Sequence, residues 1–295
     1  DELDVNVSTS TGLQISVDAK NWKTTVTKDD INNAATTYET STNQVPAQSI
    51  EPMSTVAEVD TKTGFIKMFR GTLASQEESD TLMLTAEQET ETRGNTGNFI
   101  AFDLFFQVNQ ETPIYLTSGS TVVNGDRNTA IQNAARVAFV PQGHADPGSD
   151  PNAVIQPLKA SDNTGVKIWE PNNDVHTAAA VQNALSTYQI TTQQTGATPL
   201  SYYGVKTDIA APGVPANAQD ADKFAKMDSF IIGSPQAGIP TTQYLNLITL
   251  QPGVTKVRVY MWVEGQDVDC ENNASGGDLL FNLEFSSMEN ATDSD

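Results

Sequence analysis

The stretch Thr255-Lys256-Val257-Arg258-Val259-Tyr260-Met261-Trp262-Val263-Glu264-Gly265-Gln266-Asp267-Val268-Asp269-Cys270-Glu271-Asn272-Asn273 decides how the chain is read. Its first half alternates, with Val257, Val259, Met261 and Val263 falling on one face of a strand, because side chains in a strand repeat every two residues. Its second half is a carboxylate-rich loop. A second alternating run follows, Asp278-Leu279-Leu280-Phe281-Asn282-Leu283-Glu284-Phe285-Ser286, with Leu279, Phe281, Leu283 and Phe285 on one face. Each strand is therefore expected to bury one face, and the loop between them carries Asp267, Asp269, Glu271 and Asp278.

Working outward, further strands are predicted at Leu3–Val7, Leu13–Val17, Phe65–Phe69, Thr81–Thr85, Phe99–Val108, Pro113–Thr117, Arg136–Val140, Val166–Trp169 and from Tyr244 to Leu250. The run Phe99–Val108 is the most apolar, and its aromatic and branched residues suit a sandwich core. Phe102, Leu104 and Phe106, with Val259, Met261, Phe281, Leu283 and Phe285, are the expected core. Short helices are predicted from Thr27 to about Tyr38, over Asn128–Ala135, and from Asp174 to about Gln189. Thr27 with Asp30 approximates a capping box, and Asp174 is placed to cap the third helix. Residues 39–57 and 141–153 read as loops. Residues 191–243, rich in Thr, Gln, Pro, Gly and Ala, read as a long irregular excursion, which either hides short strands or passes over the sheet. Short strands between turns, with two or three short helices and long loop insertions, predict a mainly β chain: one domain over 1–295, a β-sandwich of jelly-roll type, with an immunoglobulin-like sandwich second.

Composition narrows the partners. Sixteen Lys and Arg stand against 37 Asp and Glu, a net charge of -21. A field of that sign repels nucleic acid and disfavours anionic lipid. No run of about 18 apolar residues occurs, so no membrane insertion is expected. The single cysteine, Cys270, excludes an intrachain disulfide. The sequence opens at Asp1, which fits removal of a signal peptide.

Catalytic patterns are missing. His144 and His176 lie on separate segments, and there is no His-Glu-x-x-His pair, no Gly-x-Ser-x-Gly elbow and no Gly-x-x-x-x-Gly-Lys loop. Cys270 sits among acids that raise a thiol pKa. No enzyme is expected, and no catalytic residue is assigned. Asp267, Asp269 and Glu271 occupy alternate positions, and Asp278 stands where a twelve-residue calcium loop places its last ligand. Calcium is thus a candidate cofactor, set against a plain solvated connection. Asn272 stands where an EF-hand needs Gly, and the flanks are strands. Asp174 and His176 form a second metal candidate, set against the helix cap.

The first strand has the most consequential alternative. Leu3, Val5 and Val7 form an apolar stripe followed by Ser8-Thr9-Ser10-Thr11-Gly12. Such a segment can stay in its own sheet or complete a neighbour's sheet as a donor strand, with Gly12 in the hinge.

The patches Thr11–Ser16, Asn21-Trp22-Lys23, Phe102–Phe106, Ala135–Phe139, Trp169–Asn172 and Trp262–Asp267 resemble a group of uncharacterised exported proteins of Firmicutes. These carry an alternate-type signal sequence and are broadly similar to the TasA/camelysin biofilm-fibre class. That resemblance implies secretion, a jelly-roll fold and polymerisation through an N-terminal donor strand. The metallopeptidase activity ascribed to camelysin-like proteins does not carry over, since the zinc motif is lacking. The expectation is an extracellular or cell-surface homopolymer subunit. A monomeric adhesin or carbohydrate-binding module, or a viral capsid or spike jelly roll, are the alternatives.

Overall fold

The computed structural model describes residues 3–10, 12–34, 43–47, 50–76, 79–125, 129–173, 175–188, 202–209, 222–227, 239–270 and 277–292. The strands in the first part of the chain are β1 (Leu3–Thr9), β2 (Gln14–Ser16), β3 (Thr25–Thr27), β4 (Met53–Ser54), β5 (Val59–Asp60), β6 (Phe65–Ile66), β7 (Met68–Gln76), β8 (Ser79–Glu89) and β9 (Ile100–Val108). There follow β10 (Thr112–Leu116), β11 (Thr121–Asn124), β12 (Ala135–Ala145), β13 (Lys167–Trp169), β14 (Tyr202–Val205), β15 (Phe224–Met227), β16 (Leu245–Leu250), β17 (Gly253–Val263) and β18 (Leu279–Ser286). The described residues also form two α-helices, α1 (Lys28–Asn32) and α2 (Ala178–Tyr188), a 3-10 turn at Ile131–Ala134 and a wider turn at Pro151–Ile155.

The chain is mainly β, and its centre is a sandwich of two sheets. One sheet runs β16-β10-β18-β1-β3, with β11 also on β18; the other runs β13-β12-β17-β9-β2. Their facing sides share one core. Val5, Val7, Leu279, Phe281 and Phe285 from the first sheet pack with Phe102, Leu104, Phe106, Val257, Val259 and Met261 from the second. Phe285 meets Phe106 and Phe139 edge-on, with ring centroids 5.2 and 6.0 Å apart. Such contacts add to area burial because ring edges and faces carry opposite partial charge. All eight expected core residues are at most 3% exposed.

The strand that decides the fold departs from its pattern. Every residue of β17 is buried, on both faces. The reason is a third layer. Residues from β4 to β7, together with Ala160, cover the far side of the second sheet and pack on Phe99, Ala101, Ala138, Val140, Ile168, Tyr260 and Trp262. Ile66 N donates to the Tyr260 hydroxyl at 3.2 Å, and Trp262 Nε1 donates to Glu264 Oε2 at 3.1 Å. One buried face per strand therefore holds for β1 and most of β18, and fails for β17.

The remaining differences are local. Thr27 and Asp30 form the full capping box, but α1 stops at Asn32, since Ile31 is the only residue in it that a core holds. Residues 35–38 of that expected helix lie outside the described residues. The helix expected from Asp174 begins at Ala178, with Thr177 Oγ1 accepting from Ala180 N at 3.1 Å; Asp174 lies outside the described residues. Within 191–243 the described residues include an antiparallel pair, β14 with β15, and the core residue Ile239. The pair docks so tightly that a side chain at Gly204 would strike the Thr55 carbonyl. No helix among the described residues is long and apolar enough to cross a membrane.

Candidate functional site

Two places gather the residues singled out from the sequence. The first is the seat of β1. Leu3, Val5 and Val7 are at most 3% exposed, while Asp4 and Asn6 face outward. β1 runs parallel to β18 from Leu3 opposite Leu279 to Thr9 opposite Phe285, and antiparallel to β3 from Asn6 opposite Thr27 to Ser8 opposite Thr25. Over its first residues the β3 side is open, and there Lys28 Nζ donates to the Leu3 carbonyl at 2.8 Å. Burying three branched side chains contributes on the order of 5 kcal/mol. The strand is thus a large, separable block of the core. Its exit is held by Ser10 N donating to the Phe285 carbonyl at 2.8 Å. Gly12 then turns the chain at φ +86°, in open space, beside a recess of about 670 Å³ lined by Leu13, Gln14, Gln107, Gln110 and Ser287. Thr11 lies outside the described residues.

The second place is the acidic loop after β17, where Asp267 and Asp269 face inward. Asp267 accepts from Arg136 of β12 and, at 2.8 Å, from Asp269 N. Arg136 also meets Glu170 Oε1 at 2.6 Å, and its side chain is 0% exposed. Asp269 accepts from His176 Nδ1 at 2.6 Å and from Thr177 N at 2.8 Å, so it fixes the start of α2. Burial works against a charged His176 imidazole, but the hydrogen bond and charge of Asp269, with Asp267 and Glu170 behind it, outweigh burial and hold its pKa above the ordinary value. Cys270 is half-covered. Burial first, then the charges of Asp267 and Glu264, push its thiol up to about 12, which leaves it unreactive at neutral pH.

The four carboxylates proposed for calcium do not share one role. Asp267 and Asp269 hold Arg136 and His176, Asp278 precedes β18 opposite Gly125, and Glu271 lies outside the described residues. Among the described residues no group of three or more His, Cys, Asp and Glu side chains is arranged to hold a metal ion. His176 likewise spends its Nδ1 on Asp269. Sequence reading missed Arg136 and Glu170. The available signal was a lone cation in an otherwise apolar strand, Arg136-Val137-Ala138-Phe139-Val140, which asks for a buried partner.

A related cluster lies midway along the covered face of the second sheet. Arg258 NH1 donates to Asp103 Oδ1 at 3.0 Å, another guanidinium nitrogen donates to Glu91, and Arg258 lies over the Phe65 ring at 4.2 Å. Lys256 Nζ donates to the Gln156 and Leu158 carbonyls at 2.6 and 2.8 Å and lies 3.6 Å from Asp103 Oδ2. These ions tie the third layer to the sheet.

No protein-family model matches the chain, and neither a characterised protein nor a solved structure matches it.

Proposed function

We propose that this chain is a structural subunit of an extracellular fibre or cell-surface layer, assembled when β1 of one copy takes the β1 seat of the next. The observation that supports this reading is the seat itself. β1 pairs with β18 along its whole length and with β3 over Asn6–Ser8, and contributes three core side chains, yet it joins the rest through four residues, 10–13, that include a glycine in open space. In the single chain the seat is filled by the chain's own strand. Exchange between copies keeps the same pairs and the same buried residues, so its cost lies in opening the hinge and ordering two chains. Head-to-tail donation yields an open fibre when the rotation between copies does not close. The inward-facing carboxylates of the second site act as structural partners, which suits a scaffold better than a reaction centre.

The test is assembly of the purified full chain, followed by electron microscopy. Filaments are expected, and deleting residues 1–8 should abolish them while a soluble folded species remains. Val5→Asp should act nearly as strongly, since it sets a charge in an apolar slot. A free peptide of residues 1–10 should cap growth by occupying the seat. Filaments formed by the deleted chain would end this reading. Dispersed monomers under all conditions would favour a monomeric binding module.

A further inference from the structure

We propose that Lys256 and Asp103 become joined by an amide bond, a covalent cross-link between β17 and β9 formed by condensation of their side chains with loss of one water. The two strands are antiparallel neighbours at the centre of the second sheet, where Asp103 lies opposite Arg258 and Lys256 opposite Phe105. Asp103 and Lys256 are thus diagonal neighbours on one face, within reach of a long side chain. Their side chains are 1% and 6% exposed, with Nζ 3.6 Å from Oδ2. Held so closely, the pair reacts at a high effective concentration.

The surroundings sort the atoms. Two carbonyls, Gln156 and Leu158, accept from Lys256 Nζ, and Asp103 is its third neighbour. A neutral amine has two hydrogens and one lone pair. With the hydrogens on the two carbonyls, the lone pair is left for Asp103. Burial holds the Lys256 ammonium below its ordinary pKa, against the pull of Asp103. Arg258 NH1 grips Asp103 Oδ1 at 3.0 Å, and Glu91 on the same guanidinium balances its charge.

The step closes without any co-reactant. A proton passes from Nζ to Oδ2 and gives a neutral amine and a carboxylic acid. The nitrogen lone pair then attacks Cγ, and the electron pair displaced from the C=O bond gathers on Oδ1, where Arg258 stabilises it. The Cγ–Oδ2 bond breaks as the C=O bond re-forms. The hydroxyl takes the second proton shed by nitrogen and leaves as water. An ammonium and a carboxylate become a neutral amide, so two buried charges and their desolvation penalty disappear, while the Arg258–Glu91 pair remains. The link would fasten the two central strands against pulling. It stands whether or not the chain forms fibres.

Intact-mass measurement of the purified full chain tests it. The expected mass is that of the sequence less one water, with protease digestion giving a branched peptide that joins the segment around Asp103 to that around Lys256. Lys256→Arg, which keeps the charge, and Lys256→Met should both return to the full mass of their own sequences. A wild-type chain of full mass overturns the proposal. So does a water loss that persists in Lys256→Arg, because that would be an aspartyl residue cyclised on its own backbone. Should Lys256→Met fail to fold, Lys256→Arg and the branched peptide still decide.

Discussion

The two faces of β17 differ in everything except burial. Val257, Val259, Met261 and Val263 meet the first sheet and bury only apolar side chains. Lys256, Arg258, Tyr260 and Trp262 meet the third layer and bury two cations, a phenol and an indole. Carbon needs only to be covered, whereas each buried charge needs a partner in the right place. Asp103, Glu91 and the Gln156 and Leu158 carbonyls supply those partners from segments far apart in the chain, and Glu264, just past β17, takes the Trp262 indole. The inner face therefore tolerates apolar substitution of similar volume, while the outer face depends on specific pairs.

Phe281→Ala on the inner face should cost about 3–5 kcal/mol, as the loss of transfer free energy adds to that of a cavity. Arg136→Ala on the outer face should cost a similar amount, about 3–5 kcal/mol, because it leaves Glu170 and Asp267 buried without the guanidinium that both of them contact. Denaturant unfolding of each variant measures both. The faces separate in the milder exchanges. Val259→Leu should cost under about 1.5 kcal/mol, whereas Arg136→Lys, which cannot bridge two carboxylates with a planar fork, should cost more. Equal effects would mean that the outer pairs contribute no more than packing.

Much of the inner face was legible because its signal is local. Alternation in β1, β9, β17 and β18 named the core residues, and Thr27 with Asp30 named the first helix cap. The outer face was not legible, since Lys256 and Arg258 read as solvated residues until the third layer covers them. The same holds for the acidic loop. Asp267 and Asp269 read as an open ligand set, but their partners Arg136 and His176 lie 131 and 93 residues away in sequence. A pattern confined to one loop cannot show contacts of that range. At the first turn of α2 the long-range contact is again the one that sequence hides: Asp269, 92 residues away, positions the Thr177 backbone.

The pH dependence sharpens the contrast at intermediate size. Burial pushes the Glu264 carboxyl up to about 7, despite hydrogen bonds from Ser54, Trp262 and Gln266. For an acid whose folded pKa is raised, the protonated form favours folding. That stability is whole below the unfolded value and declines as pH rises from about 4.5 to about 7. The loss should reach at most about 3 kcal/mol. His176 acts in the same direction: its folded pKa is raised, so its contribution is whole below the unfolded value and is lost as pH rises through the folded one. Denaturant midpoints across this range should fall in the wild type and flatten in Glu264→Gln. The inner face carries no ionisable group, so Val259→Ala should shift the profile downward without changing its shape. An unchanged slope in Glu264→Gln would place the titration elsewhere.

The smallest effect concerns calcium. If Asp267, Asp269, Glu271 and Asp278 gathered on one ion, excess chelator would lower the melting temperature, since a ligand bound only to the folded state stabilises it by mass action. The described geometry argues for a negligible shift. Asp267 already neutralises Arg136, and Asp269 already holds His176 and the Thr177 amide. Turning either toward an ion would break a buried pair, an exchange that the ion's own binding would have to offset. Melting curves in chelator and in added calcium should therefore coincide. A calcium-dependent rise that Asp269→Asn removes would show instead that the loop trades its internal partners for the ion. It would also move this end of β17 from the class of fixed structural pairs to that of a ligand site.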